Sequence, residues 1–522
     1  MTVAHRRRSH RIVGVLASSL VAAGGIVAFS ASSPAKAETL PPPVNGVWSV
    51  IGNGNGHGHG MSQYGARGAA RRGLTAAQII AFYYPKTTLG SKAGSTIRVH
   101  VTDDGTDTVV APSPGLTLNW PSGSQPLPTQ GISRWRLKPD LTGFTVEYLT
   151  SGTTVWKRFT STLATAADFS RSLNTIRLYQ NDGTSTVYRG KVGAVRTGAT
   201  QFTVNRVLLD EYVQGVIPRE MPSSWEPAAV RAQAIAARSY ARYAVEHNAS
   251  SAYDICDTTR CQVYGGMTRF NSSGQVLYGE ESGSNAAVSA TAGLVASYQS
   301  ATIFAQFSAS NGGWLVASSR LDQPYLVAKA DPYEAYSGDP YLGWQRQVPA
   351  SKVASYYGLT SVQSIQITQR DGNGQWGGRV LQATVTGKYG STTRSVPTTG
   401  STLALAMGLP HYWFAVTSND PFGHVDSVTP GPSKVTATGW TIDPDSSAPI
   451  LVQMYIDGRT NALTWANQAR PDVAAVYPTA GPNHGFTLTM PATPGAHTVC
   501  LYAINTGPGI SRPLGCRAVN VP

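Results

Sequence analysis

A glutamate set between two prolines, Pro218-Arg219-Glu220-Met221-Pro222, is the residue of this chain best placed by its neighbours for acid/base chemistry. Each proline fixes its own φ and steers the residue before it toward extended backbone, so a short rigid turn holding Glu220 is expected. A carboxylic acid that is to give a proton near neutral pH needs a pocket that raises its pKa, and Met221 and Trp225 are its expected walls. Downstream, Arg231, Arg238 and Arg242 stand at i, i+7 and i+11, which places them on one stripe of a helix. A solvated basic face is the ordinary reading of such a stripe; beside an acid it also suits an anionic substrate. Tyr240 lies on the same helix, and Asp254, Gln262 and Tyr264 follow in a loop with Cys256 and Cys261.

Two further stretches offer groups that bind by hydrogen bonds. The first, GNGNGHGHGMSQYGARG, carries His57, His59, Ser62 and Gln63 among glycines that permit positive φ and close backbone approach. Its His-x-His pair lacks a third and fourth ligand nearby, so no metal is expected; a site-lining loop and a purely structural turn remain open. The second, FAQFSAS, carries Ser308 and Ser310 and runs into Asn311-Gly312-Gly313, a ligand-facing segment or a simple hairpin. No G-x-S-x-G elbow accompanies these serines, which disfavours a serine hydrolase.

The elements that must position these groups are legible in part. Leu208–Gln214 reads as one helical stretch ending at Gly215. Ser224 is the expected cap of the next helix, with Pro227 in its first turn and its end near His247. Val230, Ala234, Ala237, Ala241 and Ala244 recur at spacings of three and four, a narrow face for close packing. Helical spacing also begins at Met61, and a second helix is expected over Thr75–Tyr84, before Pro85. Between Thr96 and Val204, short strand-like runs separated by turns such as Asp182-Gly183 predict an antiparallel β region. Ala286–Val295 reads as a helix, Phe304–Ser310 as a strand, Ala350–Tyr357 as helical, and IQITQRD and RVLQATVTGKYG as strands. From about Gly423, GWTIDPDSSAP, ILVQMYIDG, HGFTLTMP and HTVCLYAIN alternate in the manner of a β-sandwich.

The whole is an α+β chain of 522 residues, too long for one domain, with 54 glycines and 33 prolines. Its beginning has Arg6, Arg7, Arg8 and Arg11, an apolar run over Ile12–Phe29, and Ala35-Lys36-Ala37, the pattern of an export signal. The expected divisions are a signal over 1–37, a Pro-rich linker over 38–51, the Gly-His segment over 52–90, a β-rich part over 91–203, a catalytic core over 204–417 and the sandwich over 423–522. Net charge is +13. The excess suits an anionic wall polymer, and no dense Lys/Arg run interleaved with aromatics argues for nucleic acid. An exported chain with four cysteines in two local pairs favours disulfides Cys256–Cys261 and Cys500–Cys516; at the first, zinc with His247 is the rival. No cofactor is expected, and no membrane contact beyond the signal segment.

Several motifs in order, VNRVLLDEYVQGVIPREMP, AVRAQAIAARSYA, CQVYGG and FSASNGGW, with Tyr188-Arg189-Gly190 and Asp331-Pro332-Tyr333, resemble the SpoIID/LytB family over most of residues 52–417. The resemblance implies a lytic transglycosylase of peptidoglycan acting on peptide-stripped glycan strands. Such an enzyme cleaves the β-1,4 bond between N-acetylmuramic acid and N-acetylglucosamine and leaves a 1,6-anhydro end. The family's catalytic glutamate falls on Glu220, and its helix cations on Arg231 and Arg238. The enhancer branch of the family implies the alternative, a non-catalytic wall-binding stimulator of an N-acetylmuramoyl-L-alanine amidase. A hydrolase pairing Glu220 with Asp254 or Asp210 is a further rival. In many members the Gly-His-Gly…Met-Ser-Gln segment ends the domain, whereas here it begins it, with His57 in the family histidine position; adjacent domain ends would bring the same loop to the same site. The terminal sandwich resembles Ig-like modules of exported proteins.

Overall fold

In the computed structural model the described residues are 38–40, 43, 46–102, 107–140, 143–161, 165–249, 251–416, 420–444, 446–477, 480–506 and 511–522. The expected export segment over 1–37 lies outside them. Within the described residues, antiparallel sheets dominate and eight α-helices are distributed among them.

The helix α1 (Gln63–Arg71) starts two residues later than its apolar spacing implies. Met61–Ser62 is a strand paired in parallel with Phe307–Ser308, and the Ser62 hydroxyl caps the helix by accepting from the Gly65 N–H. The helix α2 (Ala76–Tyr83) matches expectation and opens on a capping box between Thr75 and Gln78. The β-rich part forms an eight-stranded sheet and a seven-stranded sheet. Asp182-Gly183 makes the hairpin turn between Thr175–Tyr179 and Ser185–Arg189, with Gly183 at φ +81°.

The long strand Thr200–Leu208 leads directly into α3 (Leu209–Glu220). This helix passes through both Gly215 and Pro218, so Glu220 is its last residue and not part of a separate turn. Two contacts account for Gly215 lying inside the helix. The Gly215 carbonyl accepts from the Gly265 N–H outside the helix. A Cβ on Gly215 would stand only 2.6 Å from the Tyr264 ring, so glycine here serves close packing and does not end the helix. After a turn in which the Trp225 N–H donates to the Pro222 carbonyl, α4 (Pro227–His247) begins with Glu226 at the N-cap position, not Ser224. The expected alanine face is buried as a whole.

The helix α5 (Ser282–Ala290) begins and ends earlier than the expected Ala286–Val295. Gly293 at φ +69° turns the chain into the strand Leu294–Tyr298, which pairs with Thr88–Ser91. One hydrophobic core runs from Met61 to Leu326 and joins α1 to α4 with both large sheets.

A second core gathers Trp48 and Val50 with residues from Trp344 to Phe414, around α6 (Ala350–Tyr356) and α7 (Gly400–Met407). The stretch expected to be a linker therefore contributes structure: Glu38–Leu40 pairs with Ser361–Arg370, and Val47–Gly52 is the middle strand of a three-stranded sheet. Alternating burial of Trp48, Val50 and Gly52 is the strand signal that the neighbouring prolines mask.

Past residue 420 two four-stranded antiparallel sheets enclose a third core, with the short helix α8 (Pro471–Val476) inserted. Cys500 and Cys516 sit opposite each other in the register and are bonded.

Candidate active site

Glu220 is half-buried at the C-terminal end of α3. Its Oε1 accepts from the Val263 N–H at 2.8 Å. Gln63, only 7% exposed, lies close enough to draw down the pKa of the same carboxyl, while its Nε2 makes no hydrogen bond among the described residues. Burial raises the Glu220 pKa above the usual carboxylate value, against the opposing pull of the Val263 N–H, the Gln63 amide and the Arg219 charge. The result is a carboxyl that stays protonated further toward neutral pH yet has two donors ready for its ionised form.

Three segments distant in sequence meet here. The Gly-His segment supplies Gln63 as the first residue of α1. It is interleaved with FSASNGGW: Met61–Ser62 pairs with Phe307–Ser308, Asn55 bridges Ser310, and His59 bridges Val316. The loop after α4 supplies Val263, and the Cys256–Cys261 disulfide closes that loop just before it, so these sulfurs bind each other and not zinc. His247, the third ligand of the zinc alternative, has its Nδ1 2.8 Å from the Tyr243 carbonyl.

Several residues expected at the substrate serve the scaffold instead. Arg238 is 0% exposed; its Nε donates to Asp210 at 2.6 Å, and its other nitrogens reach the carbonyls of Ala234, Val288 and Leu294. It ties α3, α4 and α5 together and presents no surface to a glycan. Asp254 is buried and accepts from the backbone and guanidinium of Arg98. The two carboxylates offered as a hydrolase's second acid, Asp210 and Asp254, are thus both paired with arginines. Gln262 accepts from the Tyr212 hydroxyl and donates to the Ala237 carbonyl, and the Tyr264 hydroxyl donates to Asn205 at 2.8 Å. The Tyr240 ring packs on Phe304. Met221, expected as a pocket wall, is 1% exposed within the main core, while Trp225 packs on Tyr64 and under Arg67. Arg231 is exposed on the first turns of α4.

The serines and glycines of FSASNGGW hold the Gly-His segment. Ser308 Oγ accepts from the Gly58 N–H, Ser310 Oγ donates to Asp339 at 2.6 Å, and the N–H groups of Gly312 and Gly313 donate to Ser310 and Asn311. His57 Nδ1 accepts from the His59 N–H at 3.0 Å. Burial, reinforced by His59, pushes the His57 pKa down to about 4, so this imidazole is neutral at physiological pH.

A buried acidic cluster that sequence reasoning did not single out anchors this arrangement. Glu334 accepts from Ser62 and from the Asn311 N–H; Asp331 accepts from the Tyr83 hydroxyl at 2.7 Å and from Asn311 Nδ2 at 2.8 Å. Burial raises the pKa of both carboxyls. A Cβ on Gly65 would collide with Tyr83 and Asp331, and one on Gly68 with the Tyr333 carbonyl, which accounts for two glycines of GMSQYGARG. The available signal was the Asp-Pro-Tyr triplet immediately before Glu334, a glutamate as buried as Asp331.

Residues 197–298 match the SpoIID family model, described as Stage II sporulation protein. The chain carries a domain of that family, and the match contains α3, Glu220, α4 and the disulfide loop. An "Amidase enhancer" of Bacillus subtilis (strain 168) is 38% identical over 135 residues, 25% of this chain and 16% of the relative. The "Stage II sporulation protein D" of Bacillus amyloliquefaciens is 31% identical over 150 residues, and that of Bacillus subtilis (strain 168) 32% over 143; each alignment covers 26% of this chain and 42% of the relative. The chain thus spans less than half the length of each of these relatives.

Proposed function

We propose that this chain is an exported peptidoglycan lytic transglycosylase in which Glu220 is both acid and base. The observation that carries the reading is a half-buried carboxyl with a raised pKa that accepts from the Val263 N–H, with the buried Gln63 beside it, at the position where the SpoIID resemblance puts the catalytic glutamate. Ordinary glycosidases need two carboxylates. Here Asp210 and Asp254 are committed to Arg238 and Arg98, which favours a one-carboxylate mechanism.

In the first step Glu220 gives its proton to the glycosidic oxygen as the bond from muramic C1 to that oxygen breaks. In the second, the muramic C6 hydroxyl attacks C1, and its proton passes to the Glu220 carboxylate. A C1–O6 bond replaces the cleaved one, no water is consumed, and the acid is restored. The Val263 N–H and the Gln63 amide stabilise the carboxylate that exists between the two transfers. Exposed Arg231 is a contact for the polymer. The paired sheets after residue 420 are an Ig-like module that presents the catalytic part within the cell wall. No described helix is long and apolar enough to cross a membrane, and both disulfides suit an oxidising compartment.

A second reading has its own support in the relative named an amidase enhancer: the chain binds glycan and stimulates a separate wall amidase. Purified peptide-free glycan strands distinguish the readings by mass spectrometry of the products. Anhydro ends that vanish in Glu220→Gln, with the fold intact, are the expected result. Reducing ends would mean that water attacks, and the absence of any cleavage alongside a faster partner amidase would establish the enhancer.

A further inference from the structure

Arg219 immediately precedes the acid and is exposed. Its guanidinium lies 4.0 Å from the centroid of the Tyr278 ring. The stem of the side chain passes over Gly265, where an added Cβ would stand 3.2 Å from Arg219 Cδ and 2.9 Å from the tyrosine ring. The glycine therefore makes room for the stack. Neighbouring arginines are neutralised: Arg269, which reaches the Tyr278 hydroxyl, pairs with Asp182 at 2.8 Å, and Arg189 pairs with Glu280 at 2.7 Å. Arg219 has no ion pair among the described residues, yet its charge is felt at Glu220.

A guanidinium laid flat on an aromatic ring loses little freedom on binding and keeps its N–H edge available for a two-point contact with a carboxylate. We propose that Arg219, braced by Tyr278, is a carboxylate-binding subsite beside Glu220 that selects glycan strands by the free carboxylate of their sugar acid. This rests on the glycan-strand reading above. A strand whose carboxylate is capped by a peptide or ester forms no ion pair here.

Occupancy also has an electrostatic consequence. A seated carboxylate offsets the Arg219 charge that draws the Glu220 pKa down, so the correct sugar favours the protonated acid at the moment it is needed.

Binding is best measured without turnover, in the full chain carrying Glu220→Gln, with peptide-free strands and with the same strands methyl-esterified. The background variant should prefer the free carboxylates by about tenfold, the value of one charge-assisted hydrogen bond. Adding Arg219→Ala should remove that preference by weakening only the unesterified strands, and Arg219→Lys should restore part of it. Arg219 is exposed, so the melting temperature should not move. Equal affinity of the background variant for both strands, or an unchanged preference after Arg219→Ala, overturns the subsite. Cleavage by the unsubstituted chain is scored separately: its absence rejects the transglycosylase mechanism without touching the binding result.

Discussion

At the scale of the residue, Glu220 combines burial, which favours its neutral form, with two amide donors that favour its charged form. In the proposed mechanism one group gives a proton and takes it back, which needs both, with Gln63 as the adjustable partner. Replacing Gln63 by Leu keeps the site buried and removes one donor, so the Glu220 pKa rises further. The active form of a general acid is protonated; activity should therefore persist to higher pH, with the basic limb of the kcat/KM profile displaced upward. The maximal rate should fall roughly tenfold, because the carboxylate left after the first transfer loses about one charge-assisted hydrogen bond. A profile superimposable on that of the unsubstituted chain would remove Gln63 from the proton chemistry. Arg238 marks the limit of residue-level reading: stripe spacing places it beside the site, and only its buried surroundings reveal a tie between helices.

Among the elements, the Gly-His segment is the one whose fold depends on neutral histidines. His57, His59 and His411 all have pKa values lowered chiefly by burial; His411 Nε2 has no hydrogen-bond partner among the described residues, and Arg379 adds repulsion against His59 and His411. For His57 the folded value of about 4 lies below the unfolded value of 6.5. Between these values the unfolded chain binds more protons, so stability is complete above pH 6.5 and declines as pH falls toward 4. His57 alone accounts for up to about 3 kcal/mol of that loss. Urea unfolding at pH 7 and pH 4 should show a smaller acid penalty in His57→Gln; an equal penalty in both proteins would exclude this histidine as a source.

The same segment shows what sequence conveys. The helix expected over Thr75–Tyr84, the alanine face of α4 and the Asp-Gly hairpin follow from local rules and are where expected. Gly215 and Pro218 argue for a turn because their usual cost is local, whereas the Gly265 bond and the Tyr264 ring that hold Gly215 within α3 come from about fifty residues away. Asp331 and Glu334 resemble surface acids until their partners in the Gly-His segment, Tyr83 and Ser62, are known.

Over the whole molecule, the three largest hydrophobic clusters among the described residues define what depends on what. The first holds the helices around Glu220, the second joins Leu40, Trp48 and Val50 to residues 344–414, and the third lies wholly beyond residue 420. The second is not separable from the site. Its Arg379 is fully buried and donates to the Asn311 carbonyl at 2.7 Å, so it grips the segment that holds the Gly-His loop. The third shares no core residue with the others, and its ion pairs, Arg512 to Asp420 and Arg470 to Asp426, close within it. A chain ending at residue 416 should therefore fold and keep its cleavage rate on soluble strands within about twofold, since it loses no catalytic contact worth even 1 kcal/mol. Calorimetry of the longer chain should show a second transition that the shortened one lacks, as expected for independently cored domains. What the shortened chain should lose is retention on insoluble wall, measured by co-sedimentation. A loss of cleavage on soluble strands, or a lowered main transition, would show instead that the terminal sheets brace the catalytic part.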